Sequence, residues 1–273
     1  MRSGSIRIPA AYCGVVGLKP TYGRVSETGA VPLAQSVAHL GPIAATAEDA
    51  ALVYAAIAGP DPKDPSTQLQ PPVQTGGFDG SLEGVRIGIY QDWFSDAAGE
   101  VAAACERLLE QLVRLSAELV EVVIPDLRLI ALAHGLTIHS EMAANMERYD
   151  REHRRDFSLT TRLMLANVRA MPSGDYAQAQ RIRTRAMDQF RAALTRADVI
   201  ATPATPLTAP AISLPCGYDS SGLPVGLQLT GRPWDERTML RLASAAETIV
   251  PRQRPTVYFD LLPEDDPPLS ATV

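Results

Sequence analysis

The stretch between residues 85 and 124 restricts the fold more than any other. Val85-Arg86-Ile87-Gly88-Ile89-Tyr90 is rich in β-branched residues and alternates, which predicts a strand. Residues 100–119 carry Val101, Cys105, Leu108, Leu109, Leu112 and Leu115 at helical spacing. Val120-Glu121-Val122-Val123-Ile124 then predicts a second strand, closed by Pro125. Strand, helix, strand is a βαβ unit. Its two strands run parallel in one sheet and are joined by a right-handed crossover, so the chain is of the α/β class.

The other elements follow from pattern and punctuation. Residues 1–45 are rich in Gly, Pro and Ser and predict loop, short strand and turn. Residues 11–18 begin a buried segment in which Gly14 and Gly17 allow close backbone approach. Thr46, with Asp49 three residues on, caps a helix over 50–58 that Gly59-Pro60 ends. Residues 61–80 form a connector. Residues 127–198 are mostly helical, most clearly over 129–149 and 176–194. Short strands are predicted at 198–203, 211–214 and 225–229, with Ser220-Ser221-Gly222 as the turn before the last. Residues 235–250 give a final amphipathic helix. One domain over 1–262 and a loose acidic tail over 263–273 are expected.

Composition excludes several classes. The chain has 273 residues, 46% hydrophobic, enough for a sizeable core. Its net charge is −6 and it holds no Lys/Arg run, so nucleic acid is not an expected partner. No apolar stretch approaches the ~18 residues of a membrane span, so no membrane partner is expected. Cys13, Cys105 and Cys216 form no metal-spaced cluster, and no metal site is predicted. An odd cysteine count without an apolar leader fits a cytoplasmic protein.

The chemistry is concentrated near residue 5. A serine nucleophile needs a hydroxyl on a tight loop, beside backbone N–H groups that can hold a developing oxyanion. Gly4-Ser5-Ile6-Arg7 supplies the serine and a small residue before it, which lets successive N–H groups converge.

The run from Gly4-Ser5-Ile6-Arg7-Ile8-Pro9-Ala10 through Cys13-Gly14-Val15-Val16-Gly17-Leu18-Lys19-Pro20-Thr21 to Ser26 resembles the second half of the amidase signature. The likeness continues at His39-Leu40-Gly41-Pro42-Ile43, Gly84-Val85-Arg86-Ile87-Gly88, residues 198–206, Ser213-Leu214-Pro215-Cys216-Gly217 and Gly231-Arg232-Pro233. It implies a mixed, largely parallel β-sheet flanked by helices, the amidase-signature fold without its N-terminal part. It also implies hydrolysis of a small-molecule carboxylic amide through an acyl-serine intermediate, with no cofactor. Ser5 corresponds to the nucleophile, and the N–H groups of Arg2, Ser3, Gly4 and Ser5 to the oxyanion hole. In the family a lysine base works through a bridging serine, and depressed basicity is what lets such a lysine accept a proton.

The departures define the alternatives. The family's lysine and bridging serine stand ahead of the motif, outside these 273 residues. Met1-Arg2-Ser3-Gly4-Ser5 replaces a pattern that usually contains Asp-Thr-Gly-Gly-Ser. Leu207-Thr208-Ala209-Pro210-Ala211 directly joins two elements that the family separates with an acyl-pocket segment. The alternatives are therefore a truncated, inactive amidase-like protein, or one part of an amidotransferase-like assembly. Sheet edges left bare by a missing N-terminal part would be covered by a homo-oligomer or a separate N-terminal half.

The remaining polar residues have structural readings. Lys19 matches the family's Leu-Lys-Pro element and is expected as a hydrogen-bond donor or a packed, solvated stem. Arg7 is expected to buttress the nucleophile loop. His39, His134, His139 and His153 are expected as surface or capping groups. The charged run over 147–156 and Arg181, Arg183 and Arg185 are expected on solvated faces. Cys216 reads as a packed thiol.

Overall fold

In the computed structural model, which describes residues 4–76, 78, 80–204, 210–251 and 253, seven strands form one sheet. They are β1 (Val16–Lys19), β2 (Ile43–Ala44), β3 (Arg86–Ile89), β4 (Glu118–Glu121), β5 (Val199–Pro203), β6 (Ala211–Tyr218) and β7 (Pro224–Gly231). Their spatial order is β2-β1-β6-β7-β5-β3-β4. Strand β3 pairs in parallel with β4, as the βαβ reading requires, and also in parallel with β5. The pairs β1–β2, β1–β6, β6–β7 and β5–β7 are antiparallel. The sheet is thus mixed, with its parallel pairing concentrated at the β5-β3-β4 side. Helices cover both faces, as expected.

Nine α-helices are described: α1 (Arg7–Cys13), α2 (Ala47–Ile57), α3 (Gln91–Phe94), α4 (Gly99–Arg114), α5 (Leu127–Asn145), α6 (Glu147–His153), α7 (Leu159–Arg169), α8 (Ser173–Arg196) and α9 (Glu236–Glu247). Helices α2, α4 and α9 pack on one face around Leu18, Ile87, Ile212, Leu214, Leu227 and Leu229. On the other face α5 and α8 lie over Ile200, Val122 and Ile124, and α1 packs against β1, β6 and β7. This second face carries the candidate site.

Local chemistry explains most boundaries. The hydroxyl of Thr46 accepts from the N–H of Asp49, so α2 begins where the capping signal placed it. Helix α4 ends at Arg114, earlier than the apolar spacing suggested. Ser116 adopts φ 75, which stops the helix and lets β4 begin at Glu118, in register with Arg86. Helix α1 was not foreseen in the Gly- and Pro-containing opening. It holds because Pro9 falls in the first turn, where no N–H is needed, and Gly14 at φ 64 closes the end. The residues over 205–209 and 263–273 lie outside the described residues, and with them both the shortened join and the predicted tail.

A buried carboxylate ties the two ends of the chain together. Glu236, at the start of α9, accepts from the N–H and hydroxyl of Thr21 at 2.8 and 2.6 Å, and from the Tyr54 hydroxyl at 3.0 Å. Arg24 Nε pairs with it at 3.4 Å. The segment after β1 is thereby held in place, and with it the end of Lys19.

Candidate active site

Ser5 stands on the loop that enters α1, exposed between the buried Gly4 and Ile6. The Ile8 N–H donates to the Gly4 carbonyl at 2.7 Å, so helical bonding fixes the loop from below. Helix α1 in turn sits unusually close to the sheet. A Cβ on Gly17 would stand 2.6 Å from the Ala10 Cβ, and one on Gly226 would stand 2.5 Å from the Ala11 Cβ. Only glycine at both positions allows this approach. The close-approach expectation for Gly17 holds. Gly14 serves instead as the left-handed cap of α1.

Beneath α1 runs a polar row. Gly17, Ser213, Gln228 and Thr202 are in register across β1, β6, β7 and β5, and the last three are fully buried. Arg7, only 2% exposed, donates from Nη1 to Oε1 of Gln228 at 2.5 Å. Burial holds its guanidinium pKa down at about 10. Arg7 is therefore the buttress expected of it, pinning the first turn of α1 to the sheet.

Ser5 opens on a cavity of about 380 Å³ lined by residues 4–9, Lys19, Leu33, Ala34, Val37, Ala38, His39, Ile138, His139 and Met142. The structure brings Gly4 and Ser5 together there, while Arg2 and Ser3 lie outside the described residues. A second cavity of about 650 Å³ adjoins it and shares Lys19 and His39.

Lys19 is not a solvated stem. It is 7% exposed, and its Nζ donates to the Pro20 carbonyl at 3.0 Å. Burial, with the nearby Arg7 charge, holds its pKa down at about 7, against opposing pulls from Glu236 and Glu27. Sequence offered one signal for this. Lys19 and Lys63 are the only lysines among 25 basic residues, and Lys19 falls on the Gly17 side of an alternating strand.

The surface reading of the histidines is corrected for three of the four. His39 lines both cavities, His134 the larger and His139 the smaller. They come inward because α5 lies over the site and because the loop over 33–39 folds back on it. Burial holds the His39 pKa down at about 3 and that of His134 at about 4, with Lys19, Arg7 and Arg183 contributing to both. The His39 Nδ1 lies 2.8 Å from the Val37 carbonyl, so its neutral ring carries the proton there. His153 stays near the surface beside Asp156.

Arg183 likewise leaves the predicted solvated face. Its Nη1 donates to the Ser36 hydroxyl at 2.7 Å and its Nη2 to the Ser36 carbonyl at 2.5 Å, on the wall of the larger cavity. Asp150, in the charged run, is buried between Arg154 and Arg169 rather than solvated. Cys216 is a packed thiol, as expected, 3.5 Å from the Cys105 sulfur.

Ser5 thus stands on a helix-entry loop beside a partly open cavity in an α/β scaffold. The model of the Amidase family matches residues 2–211, and the chain belongs to that family. It is 39% identical to a fatty acid amide hydrolase of Medicago truncatula, over 95% of this chain and 50% of the relative. It is 37% identical to a glutamyl-tRNA(Gln) amidotransferase subunit of Anaeromyxobacter dehalogenans, over 89% of this chain and 61% of that one. The native peptide amidase of Stenotrophomonas maltophilia superposes with a TM-score of 0.78 at 29% identity, covering 94% of this chain and 62% of that one. The chain thus spans about half to three fifths of the length of the curated relatives it matches. No described helix is long and apolar enough to cross a membrane.

Proposed function

We propose that this chain carries the nucleophile half of an amide-hydrolysing site, with Ser5 as the attacking residue. The observation that carries the reading is the exposed Ser5 at the mouth of the smaller cavity, on a loop fixed by α1. Ser5 Oγ adds to the amide carbonyl as its proton passes to a base, and the N–H groups of Arg2, Ser3, Gly4 and Ser5 receive the oxyanion. The C–N bond then breaks, the amine leaves protonated, and water releases the acid from the acyl-serine.

In the family, the base is a lysine relayed through a bridging serine ahead of the motif. A segment bearing that pair, whether joined to these residues or on a separate polypeptide, completes the site. The exposed Ile43 on edge strand β2 and Leu119 on edge strand β4 support contact with such a segment or with a second copy. The test is fluorophosphonate labelling of the chain and of Ser5→Ala, alone and co-expressed with the N-terminal half of a full-length relative. Labelling lost in Ser5→Ala supports the reading. Equal labelling of both chains, or none under either condition, rejects it.

A second reading has its own support. The 37% identity to one component of an amidotransferase favours a role as one part of an assembly. In that case a stable complex forms with a partner, and hydrolysis appears only within it. Ser3, where the family usually has glycine, favours an inactive member.

A further inference from the structure

The larger cavity has no role in the steps above, and its lining is unusual. Among the described residues no Asp or Glu side chain lines it, yet Lys19, Arg183, Arg191 and Arg232 do, along with an apolar wall that includes Ile130 and Phe190. Two of the arginines already have carboxylate partners. Arg191 pairs with Asp188 at 2.5 Å, and Arg232 pairs with Asp198 at 2.9 Å while donating to the Leu194 and Ala197 carbonyls. Arg183 differs. No carboxylate lies within 4 Å of it among the described residues, and both of its hydrogen bonds go to Ser36. Glu141 reaches it only through the Ser36 hydroxyl, at 2.5 Å from that oxygen. Three guanidinium N–H donors are left, on a head whose orientation Ser36 already fixes. A planar fork of this kind matches a carboxylate.

His39 and His134 both line this cavity; burial first, and then the charges of Lys19, Arg183 and Arg7, favour the neutral form of each. An apolar chamber with convergent donors of one sign is the usual form of a small-molecule site.

We propose that this cavity is a binding site for a small carboxylate with an apolar body, its carboxylate held by Arg183 and its body lying against Phe190 and Ile130. Resting on the Ser5 reading, the shared wall of Lys19 and His39 extends the proposal to substrate class. An amide whose far end bears a carboxylate spans the two cavities, amide at Ser5 and carboxylate at Arg183.

Calorimetric titration of the Ser5→Ala chain with 4-phenylbutyrate and with its neutral isostere 4-phenylbutyramide tests this. Hydrolysis cannot contribute in that background, and fluorophosphonate labelling reads the Ser5 chemistry separately, so either can fail alone. The carboxylate is expected to bind at least about tenfold tighter than the amide, about 1.4 kcal/mol. Adding Arg183→Gln should remove that difference while leaving the amide affinity in place, and Arg183→Lys should restore part of it. Equal affinity for the two probes in the parent, or no carboxylate binding at millimolar concentration, overturns the proposal. Should Arg183→Gln fail to fold, the parent's comparison of the two probes decides the matter.

Discussion

Arg7 Nη1 donates to Gln228 Oε1 at 2.5 Å across 221 residues of sequence, joining the turn after Ser5 to the middle of the sheet. Gln228 lies in register between Thr202 and Ser213, whose side-chain oxygens are also buried. The Ser5 loop therefore rests on a polar row inside an otherwise apolar sheet. Removing the acceptor takes a hydrogen bond from a buried charged donor. Gln228→Leu is expected to cost roughly 1.5–3 kcal/mol in urea unfolding, and to lower fluorophosphonate labelling of Ser5 by more than the unfolded fraction explains. Gln228→Glu keeps an acceptor and should lose less. If Gln228→Leu unfolds at the parent's urea midpoint, the bond does not support the loop.

Lys19 makes stability depend on pH in a predictable direction. Its pKa is held at about 7 in the fold, below the usual lysine value of 10.5, by burial and by Arg7. Between these values the unfolded chain binds the extra proton, so stability rises with pH across that window. Below about pH 7 both states are protonated, and the fold carries the full penalty of a buried charge. Tyr54 is pushed up beyond this window, while Glu27, held near 6, and His39 and His134 titrate below it. From pH 7.5 to 9.5 the parent should gain on the order of 1–3 kcal/mol relative to Lys19→Met. Unfolding midpoints for the two chains at the two pH values check this. A constant difference between them would place the Lys19 ammonium in solvent.

The sheet was largely legible because its strands are apolar, β-branched and bounded by Gly and Pro. The pattern over 85–124 gave the parallel β3–β4 pair directly. Helix α1 was hidden, since seven residues containing Pro9 and closed by Gly14 carry too little periodicity to show. The site was legible only along the backbone. Gly4 and Ser5 could be placed by motif, whereas His39, His134 and Arg183 come together through the packing of α5 and α8 and the fold of one loop. Side chains roughly 50 to 150 residues apart share no local pattern, so their inward turn could not be read from spacing.

The seating of α1 depends on two glycines that a sequence pattern cannot rank. A Cβ at Gly226 would meet Ala11 Cβ at 2.5 Å and its Cα at 3.0 Å, with the Ser213 hydroxyl at 3.2 Å. The neighbour on one side is backbone, so relief requires α1 to move. Gly226→Ala is expected to destabilise by about 1–3 kcal/mol, the usual cost of overpacking, and to reduce Ser5 labelling. Gly135, inside α5, has nothing within 4 Å of an added Cβ. Gly135→Ala should raise stability by about 0.5–1 kcal/mol through helix propensity. Denaturant midpoints moving in opposite directions for the two variants would bear this out. A neutral Gly226→Ala would mean that α1 is not held at this distance.

The three thiols should separate cleanly in their reactivity. Cys13 is exposed at the end of α1, while Cys105 on α4 and Cys216 on β6 are buried in the core. Their sulfurs lie 3.5 Å apart, and Cys216 donates to the Val225 carbonyl at 3.3 Å. The hydrogen bond with Cys105, and then burial, push the Cys216 thiol up, away from the reactive thiolate. Titration of the native chain with Ellman's reagent is expected to show one fast thiol, lost in Cys13→Ser, and two that react only as the core opens. In guanidinium chloride all three should react at once. Because α4 and β6 meet at this sulfur pair, the slow phase measures how often that helix leaves the sheet. Two or more fast thiols in the native state would show that it leaves far more readily than its packing against Leu214 and Leu227 implies.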